Sequence, residues 1–449
     1  MRRIKWVLWG GFAGLTVLWL AANPAVFSTA EIFALRRFMT QYTGLIAMAA
    51  MSVAMILALR PRWPERWFGG LDKMYRLHKW LGISALVVSV LHWLWVQAPK
   101  WAVGWGWLAR PQRGQRGPAE SEIEAALRSM RHTAEGLGEW AFYAAIVLIG
   151  AALLRIIPYR AVFKTHRLLA ASYLVLVFHT LVLFDFQMWG EPVGLGLAAL
   201  LGYGVWAAIL VLLRKVGRER RVNGTITALD YYPGVHALEA EIAMEPGWPG
   251  HKAGQFAFVT SQKSEGAHPY TLASRWDGAE QKLRVIVKEL GDHTNHLRDH
   301  LQAGQPVTVE GPYGCFTFED EKPGQIWIGG GIGITPFISR MKELADKRQA
   351  GATGLQQIDL FHCSADSDET AFAKLTTDAK AAGVRLHLMI DAKDGLLTGE
   401  RIRKLVPDWK RASVWFCGPA GFGDHLRTDF AKQGLSVTRD FHQELFAMR

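Results

Sequence analysis

Four histidines sit where lipid is expected. His78 and His92 lie fourteen positions apart in one apolar stretch, His166 and His179 lie thirteen apart in another, and the first 216 residues hold only one further histidine, His132. An ionisable side chain inside a hydrophobic span is costly and marks a functional candidate. Fourteen residues of helix rise about 21 Å in nearly whole turns, so His78 and His92 share a face. Thirteen leave the second imidazole rotated by roughly 140° from the first, so a π-bulge or local bend is expected between His166 and His179. A lone intramembrane histidine is well explained by hydrogen bonding across helices. Two matched pairs on parallel spans suit another chemistry, bis-imidazole ligation of two stacked haems with one histidine from each span. Zinc prefers third and fourth ligands that this pattern lacks.

A second set of residues points to flavin and dinucleotide chemistry. "HPYTLAS", residues 268–274, puts a basic, an aromatic and a hydroxyl side chain within four positions, enough to meet a phosphate, stack on a flavin ring and hydrogen-bond its edge. Alone, a strand and turn would account for it. In "VKELGDHTNHLRDHL" Gly291 and Thr294 open an expected helix whose free N–H groups suit a pyrophosphate. "QIWIGGGIGITPFISRM" reads as strand, glycine-rich turn and helix start, where backbone approaches a dinucleotide, although its spacing is not G-x-G-x-x-G. "CGPAGF" ends a strand and starts a helix at the carboxyl edge of a sheet, so Cys417 is either a small buried residue or a nicotinamide contact.

These residues need two very different scaffolds. Up to about Leu213 the chain is dominated by long apolar runs rich in Trp; beyond Arg214 it has the mixed pattern of a globular enzyme. After the opening "VLWGGFAGLTVLWLAA", the segments Thr43 to Leu59, Trp80 to Val96, Trp140 to Leu154, Leu168 to Phe184 and Pro192 to Leu213 carry no Asp, Glu, Lys or Arg. With the first they predict six membrane helices. The basic head and Ala21–Ala22 also fit a cleaved signal peptide, but an uncleaved first span completes the set. Basic groups at Arg2 to Lys5, Arg60 to Lys79, Arg155 to Arg167 and Arg214 to Arg221 then fall on one, cytoplasmic, side together with the soluble half. The formal charge of +11 is therefore a topology signal, and nucleic acid is excluded as a partner. Three cysteines with no CxxC argue against disulfides and are too few for an iron–sulfur cluster.

In the soluble half, "GTITALDYY", "HALEAEIAM", "QFAFVTSQ", "LRVIVKEL" and "QPVTVEGP" predict a small antiparallel barrel. "QIDLFHCSA", "RLHLMIDA" and "SVWFCGP" alternate with helical patterns as a parallel doubly wound sheet requires. The expected fold is a membrane all-α six-helix haem bundle at 1–216, an antiparallel β-barrel for FAD at 217–320 and an α/β doubly wound nucleotide-binding domain at 321–449.

Taken together, the histidine spacings, "HPYTLAS", "GGGIGITPF" and "CGPAGF", in this order, resemble the ferric reductase and NADPH oxidase superfamily. There a transmembrane di-haem domain is joined to a ferredoxin-reductase-like dehydrogenase. The resemblance implies that His78 and His166 ligate an inner haem b, and His92 and His179 an outer one. It implies FAD contacts from His268, Pro269, Tyr270, Thr271, Ser274 and Val287, with Tyr270 on the ring and Thr271 near N5, and a pyrophosphate at Gly291 and Thr294. Gly329, Gly330, Gly331, Gly333, Thr335, Pro336, Cys417, Gly418 and Pro419 would form the site for NADPH or NADH. Glu444 and Phe446 look like the acidic and aromatic pair that lies against the flavin. Thr271, Cys417, Glu444 and Phe446 are thus the candidate catalytic residues.

Three departures stand out: Phe446 is followed by three more residues, His293 stands where some members have Trp, and "FHCSADSDE" offers Ala365 and acids where NADPH-preferring members often place Arg. The implied activity passes electrons from cytoplasmic NAD(P)H through FAD and two haems across the plasma (inner) membrane to a ferric chelate, dioxygen or a periplasmic redox protein. Arg36 and Arg37, just outside the second span, are candidates for haem propionates or a ligand, or are plain surface charge. The alternative from another class is a membrane-anchored flavin reductase serving a partner protein without transmembrane transfer.

Overall fold

The computed structural model describes residues 2–28, 31–110, 117–119, 121–154, 165–262, 264–291 and 294–444. The chain divides into two compact units, one of residues 1–64 and 73–216 and one of residues 65–72 and 217–448.

The first unit is helical. Its long elements are α1 (Arg2–Ala22), α2 (Ile32–Ala58), α3 (Leu71–Gly104), α4 (Arg131–Leu153), α5 (Leu168–Leu183) and α6 (Pro192–Leu212). All but α5 are long and apolar enough to cross a membrane by length and composition; α5 has 16 residues. Among the described residues the expected six spans are thus five long apolar helices and one shorter. Arg155, Arg160 and Lys164, which entered the topology argument, lie outside the described residues.

Small residues let these helices approach. The buried face of α2 includes Ala47, Ala49, Ala50, Ser52 and Ala54, and that of α6 includes Gly204, Ala207 and Ala208. Lipid tails are as apolar as Leu, so close backbone packing and interhelical hydrogen bonds replace the hydrophobic drive. The Tyr173 hydroxyl bonds Ser52 Oγ at 2.8 Å, and a Cβ at Gly204 would come within 2.0 Å of that hydroxyl. Pro99, inside α3, has no N–H for the carbonyl of Trp95. Arg36 replaces it, donating from Nε to the Trp95 carbonyl at 3.2 Å and from Nη2 to the Val96 carbonyl at 3.1 Å. Arg36 therefore has a structural task that the sequence did not reveal.

The second unit holds two sheets. β1 (Arg221–Tyr232), β2 (Ala237–Met244), β3 (Phe256–Thr260), β4 (His268–Thr271), β5 (Lys282–Lys288) and β6 (Pro306–Tyr313) form an antiparallel sheet in the order β4-β3-β6-β1-β2-β5. An isolated bridge between Leu272 and Val285 links the two edges. The sheet has one strand more than expected, because "HPYT" itself pairs with β3. Ile226, Ile242, Ala257, Leu283, Val285 and Val309 meet in its core, the inward set of each alternating strand.

The other sheet is parallel. β7 (Gly324–Gly330), β8 (Gln357–Ser364), β9 (Arg385–Ile390), β10 (Ala412–Cys417) and β11 (Phe441–Gln443) are ordered β11-β10-β7-β8-β9. One face carries α7 (Thr335–Gln349) and α8 (Glu369–Ala382), whose Phe337, Met341 and Leu375 pack with Trp327 and Leu360. The other carries α9 (Ala420–Lys432), whose Leu426 and Phe430 pack with Ile326 and Ile328. Strands buried on both faces explain the near-continuous apolar runs of β7 and β10.

Candidate redox sites

The four histidines come together as two pairs. The rings of His78 and His166 have centroids 6.0 Å apart with planes at 59°, and those of His92 and His179 are 6.4 Å apart at 76°. His78 and His92 project from α3 and His179 from α5, while His166 is helical and precedes a turn at Arg167. The irregularity between His166 and His179 is a tightened turn, with the Ala170 N–H donating to the Arg167 carbonyl at 3.0 Å, and not a π-bulge.

Backbone carbonyls fix three of the imidazoles. Nδ1 of His78 lies 3.0 Å from the Ala54 carbonyl, Nδ1 of His92 lies 3.0 Å from that of Thr40, and Nδ1 of His179 lies 2.8 Å from that of Ala134. A carbonyl only accepts, so Nδ1 carries the proton and Nε2 keeps its lone pair, the form that ligates metals. His92 also meets Thr43 Oγ1 at 3.2 Å. His166 Nδ1 is buried with no partner among the described residues. Two glycines make room: a Cβ at Gly138 would fall 2.0 Å from His179 Nδ1, and one at Gly44 would fall 3.3 Å from His92 Cε1.

This arrangement fits haem. A metal–imidazole bond of about 2 Å, plus roughly 1.1 Å from nitrogen to ring centre on each side, separates trans imidazole centroids by roughly 6.3 Å. Among the described residues no group of three or more His, Cys, Asp or Glu could hold a metal ion. Two imidazoles alone suit a metal that brings its own four equatorial donors, as a porphyrin does.

In the second unit β4 carries the expected flavin residues. Tyr270 pairs with Ala257 and Thr271 with Phe256 across the β3–β4 ladder. The Tyr270 hydroxyl is buried with no partner among the described residues, and burial pushes its phenol above the usual range. An orphaned donor here fits a ligand that offers an acceptor, as the edge of a flavin does. Val287 is buried beside this strand system, at the end of β5. Ser274 is engaged within the protein, its Oγ accepting from the Arg284 N–H at 3.0 Å. The expected anion-binding helix is reduced to a 3-10 turn, Thr294–His296, followed by the four-residue helix Leu297–His300. Thr294 Oγ1 is itself taken up by the N–H groups of Leu290, at 2.8 Å, and Gly291, at 3.1 Å. Those two donors are tied inward; the helix-dipole argument does not hold for so short an element.

The nucleotide residues meet at the carboxyl edge of the parallel sheet. Gly329 and Gly330 end β7, Gly331–Ile334 form a 3-10 turn, and Thr335 and Pro336 open α7, with Thr335 Oγ1 donating to the Ile332 carbonyl at 2.8 Å. Cys417, Gly418 and Pro419 join β10 to α9. The two turns touch: a Cβ at Gly333 would lie 2.2 Å from the Cys417 carbonyl oxygen, and one at Gly330 would lie 2.9 Å from Pro419 Cδ. Chain order runs outward in opposite directions from β7 and β10, so these turns flank the topological switch point, where such sheets bind ligands. Between the two readings of Cys417, its side chain is fully buried in the core, and burial followed by the Glu444 charge pushes the thiol well up. Glu444 is also buried, near Gly314. Phe446 and His293 lie outside the described residues.

Sequence reasoning overlooked Gly44 and Gly138, whose signal is only that small residues cluster near the histidines. It also passed over Glu65, which accepts from the Gly314 N–H at 2.7 Å and lies 3.8 Å from Arg220. Burial pushes the Glu65 carboxyl up against the pull of both partners.

Intramembrane imidazole pairs, an antiparallel flavin-type sheet and a parallel sheet with a glycine-rich switch point define a multi-pass membrane protein with a reductase-type half. Comparison with known families agrees. Residues 43–177 match the ferric reductase like transmembrane component, and residues 231–317 match an FAD-binding domain. The chain is 27% identical over 221 residues to an NADPH oxidoreductase of Mycobacterium tuberculosis, covering 46% of this chain and 56% of that protein. It is 33% identical over 197 residues to ferric reduction oxidase 4 of Arabidopsis thaliana, covering 41% of this chain and 26% of the relative. With respiratory burst oxidase homolog protein E of the same plant the identity is 27% over 235 residues, covering 44% and 23%. In each case less than two thirds of the relative is spanned. These matches fit the ferric reductase/NADPH oxidase superfamily.

Proposed function

We propose that the chain is a transmembrane oxidoreductase that takes electrons from cytoplasmic NAD(P)H and delivers them, by way of FAD and two b-type haems, to an acceptor across the membrane. The observation that carries this reading is the two pairs of facing imidazoles, at 6.0 Å and 6.4 Å, three of the four rings with Nδ1 held by a carbonyl. His78 and His166 hold the inner haem, and His92 and His179 the outer one, about 21 Å further along α3. The carbonyls of Ala54, Thr40 and Ala134 orient the rings and keep Nε2 free to ligate. Tyr270 and Thr271 position the flavin, and the turns at Gly329–Thr335 and Cys417–Pro419 receive the nicotinamide nucleotide. When bound, the flavin accepts a hydride and releases its electrons singly, and the haem irons accept them one at a time.

In this reading α5 completes six crossings, the membrane domain spans 1–216, the flavin domain 217–320 and the nucleotide domain 321–449. The clustered Lys and Arg keep the dehydrogenase half cytoplasmic at the inner membrane. The acceptor is a ferric chelate or dioxygen, and superoxide yield with and without ferric citrate separates the two. His92→Ala tests the route: reduction of an outside acceptor should be lost while flavin reduction by the nucleotide persists. Unchanged acceptor reduction in that variant overturns the assignment.

A further inference from the structure

The carboxyl ends of β7 and β8 open onto a cavity of about 90 Å³ whose walls include Lys288, Gly331, Ile332, His362, Ser364 and Phe372. It begins at the glycine-rich turn, so a dinucleotide lying on that turn extends its adenosine half over the end of β8. In such folds the charge that meets the ribose 2′ position selects the coenzyme. An acid accepts the hydroxyl of NADH, and a cation receives the phosphate of NADPH.

A carboxylate stands just past this end of β8. Asp366 follows the last strand residue by two positions, and Lys288 Nζ lies 2.8 Å from its Oδ2. The ammonium holds the Asp366 carboxyl below the usual carboxylate range. No Lys or Arg occurs between His362 and Lys374. Lys374 is itself committed, at 2.6 Å from Glu239 Oε2 and 3.0 Å from the Tyr232 hydroxyl. At the end of β9 a second acid, Asp391, helps push the buried Cys363 thiol up to about 12 after burial itself, with Arg401 opposing it. Arg401 spends Nη1 on the Asp394 carbonyl at 2.6 Å.

We infer that the Lys288–Asp366 pair makes the nucleotide site selective for NADH over NADPH. Asp366 keeps one carboxylate oxygen for a ribose hydroxyl while neutralising the Lys288 ammonium, which would otherwise face a 2′-phosphate; of the other lysines lining the cavity, Lys374 is paired with Glu239 and Lys342 lies 3.3 Å from the Ala273 carbonyl. A 2′-phosphate, carrying roughly −1.5 to −2 charges, meets a carboxylate instead of a free cation. This inference rests on the nucleotide site proposed above.

The test is anaerobic stopped-flow reduction of the flavin in the purified full-length protein, which needs no acceptor. Wild-type protein should favour NADH by roughly 10- to 100-fold in second-order rate. Asp366→Ser should speed NADPH about tenfold and slow NADH several-fold, and adding Lys288→Ala should abolish the NADPH gain. Asp366→Asn, which keeps the side-chain shape, should shift the preference in the same direction. Equal or faster wild-type reduction by NADPH overturns the inference, as does an Asp366 variant with bound flavin and unchanged selectivity. Failure of both nucleotides to reduce wild-type flavin overturns the nucleotide site itself.

Discussion

Gly138→Ala places a methyl carbon 2.0 Å from His179 Nδ1 and 2.7 Å from its Cγ and Cε1. Non-bonded atoms of this kind rest at about 3.5–4.0 Å, so the imidazole or the helix must move by more than roughly 1 Å. The ring cannot turn aside without breaking its 2.8 Å bond to the Ala134 carbonyl, which lies on the same helix as Gly138. Overpacking costs about 1–3 kcal/mol. Losing an outer hydrogen bond to a ligating imidazole costs about 10- to 100-fold in metal affinity. Together these weaken the outer haem site by roughly two to four orders of magnitude and leave His78 and His166 untouched. The assay is haem content by pyridine haemochrome against flavin content. Wild-type protein should hold two haems per flavin and Gly138→Ala about one. Gly44→Ala is a graded control, because its Cβ would sit 3.3 Å from His92 Cε1 and needs only a small adjustment. Gly10→Ala, with nothing within 4 Å, should retain both haems. Two haems and an unchanged spectrum in Gly138→Ala would refute the reasoning.

Arg36→Ala leaves the carbonyls of Trp95 and Val96 without its charged donor, so thermal unfolding in detergent should show a loss of about 1.5–3 kcal/mol; an unshifted midpoint contradicts the role given to Pro99. Gly333→Ala drives a methyl carbon to 2.2 Å from the Cys417 carbonyl and should separate the two turns, raising the KM for the nucleotide at least tenfold while bound flavin stays constant. Thiol chemistry offers a pH test. Cys363, pushed up to about 12, and the fully buried Cys417 should resist iodoacetamide from pH 7 to 9, so that labelling falls on the partly exposed Cys315; rapid labelling of Cys417 would remove it from the core.

The parts of the site that depend on side-chain type and short spacing were legible in the sequence. Fourteen positions between His78 and His92 are enough to set a common face, and the glycines of "GGGIGIT" announce a turn that backbone must approach closely. What escaped was long-range or belonged to the backbone. Gly138 matters only because it faces a histidine 41 residues away. The carbonyls of Thr40, Ala54 and Ala134 leave no mark in residue identity, and Arg36, which the sequence left open between a propionate or ligand contact and plain surface charge, serves a carbonyl that Pro99 leaves without a donor. Gly291 and Thr294 misled in the other direction: a capping pattern foretold a helix, but "TNHLRDH" sustains only a 3-10 turn and four helical residues. Too few turns follow to build a dipole.

The proposed electron route runs from nicotinamide through flavin to two haems held by the imidazole pairs. Its most direct test is the anaerobic absorption spectrum of the purified full-length protein before and after NADH. A Soret band that shifts on reduction, with two haems per flavin, is the predicted result. Folded, flavin-bearing protein made with ample haem supply yet lacking a Soret band would contradict it.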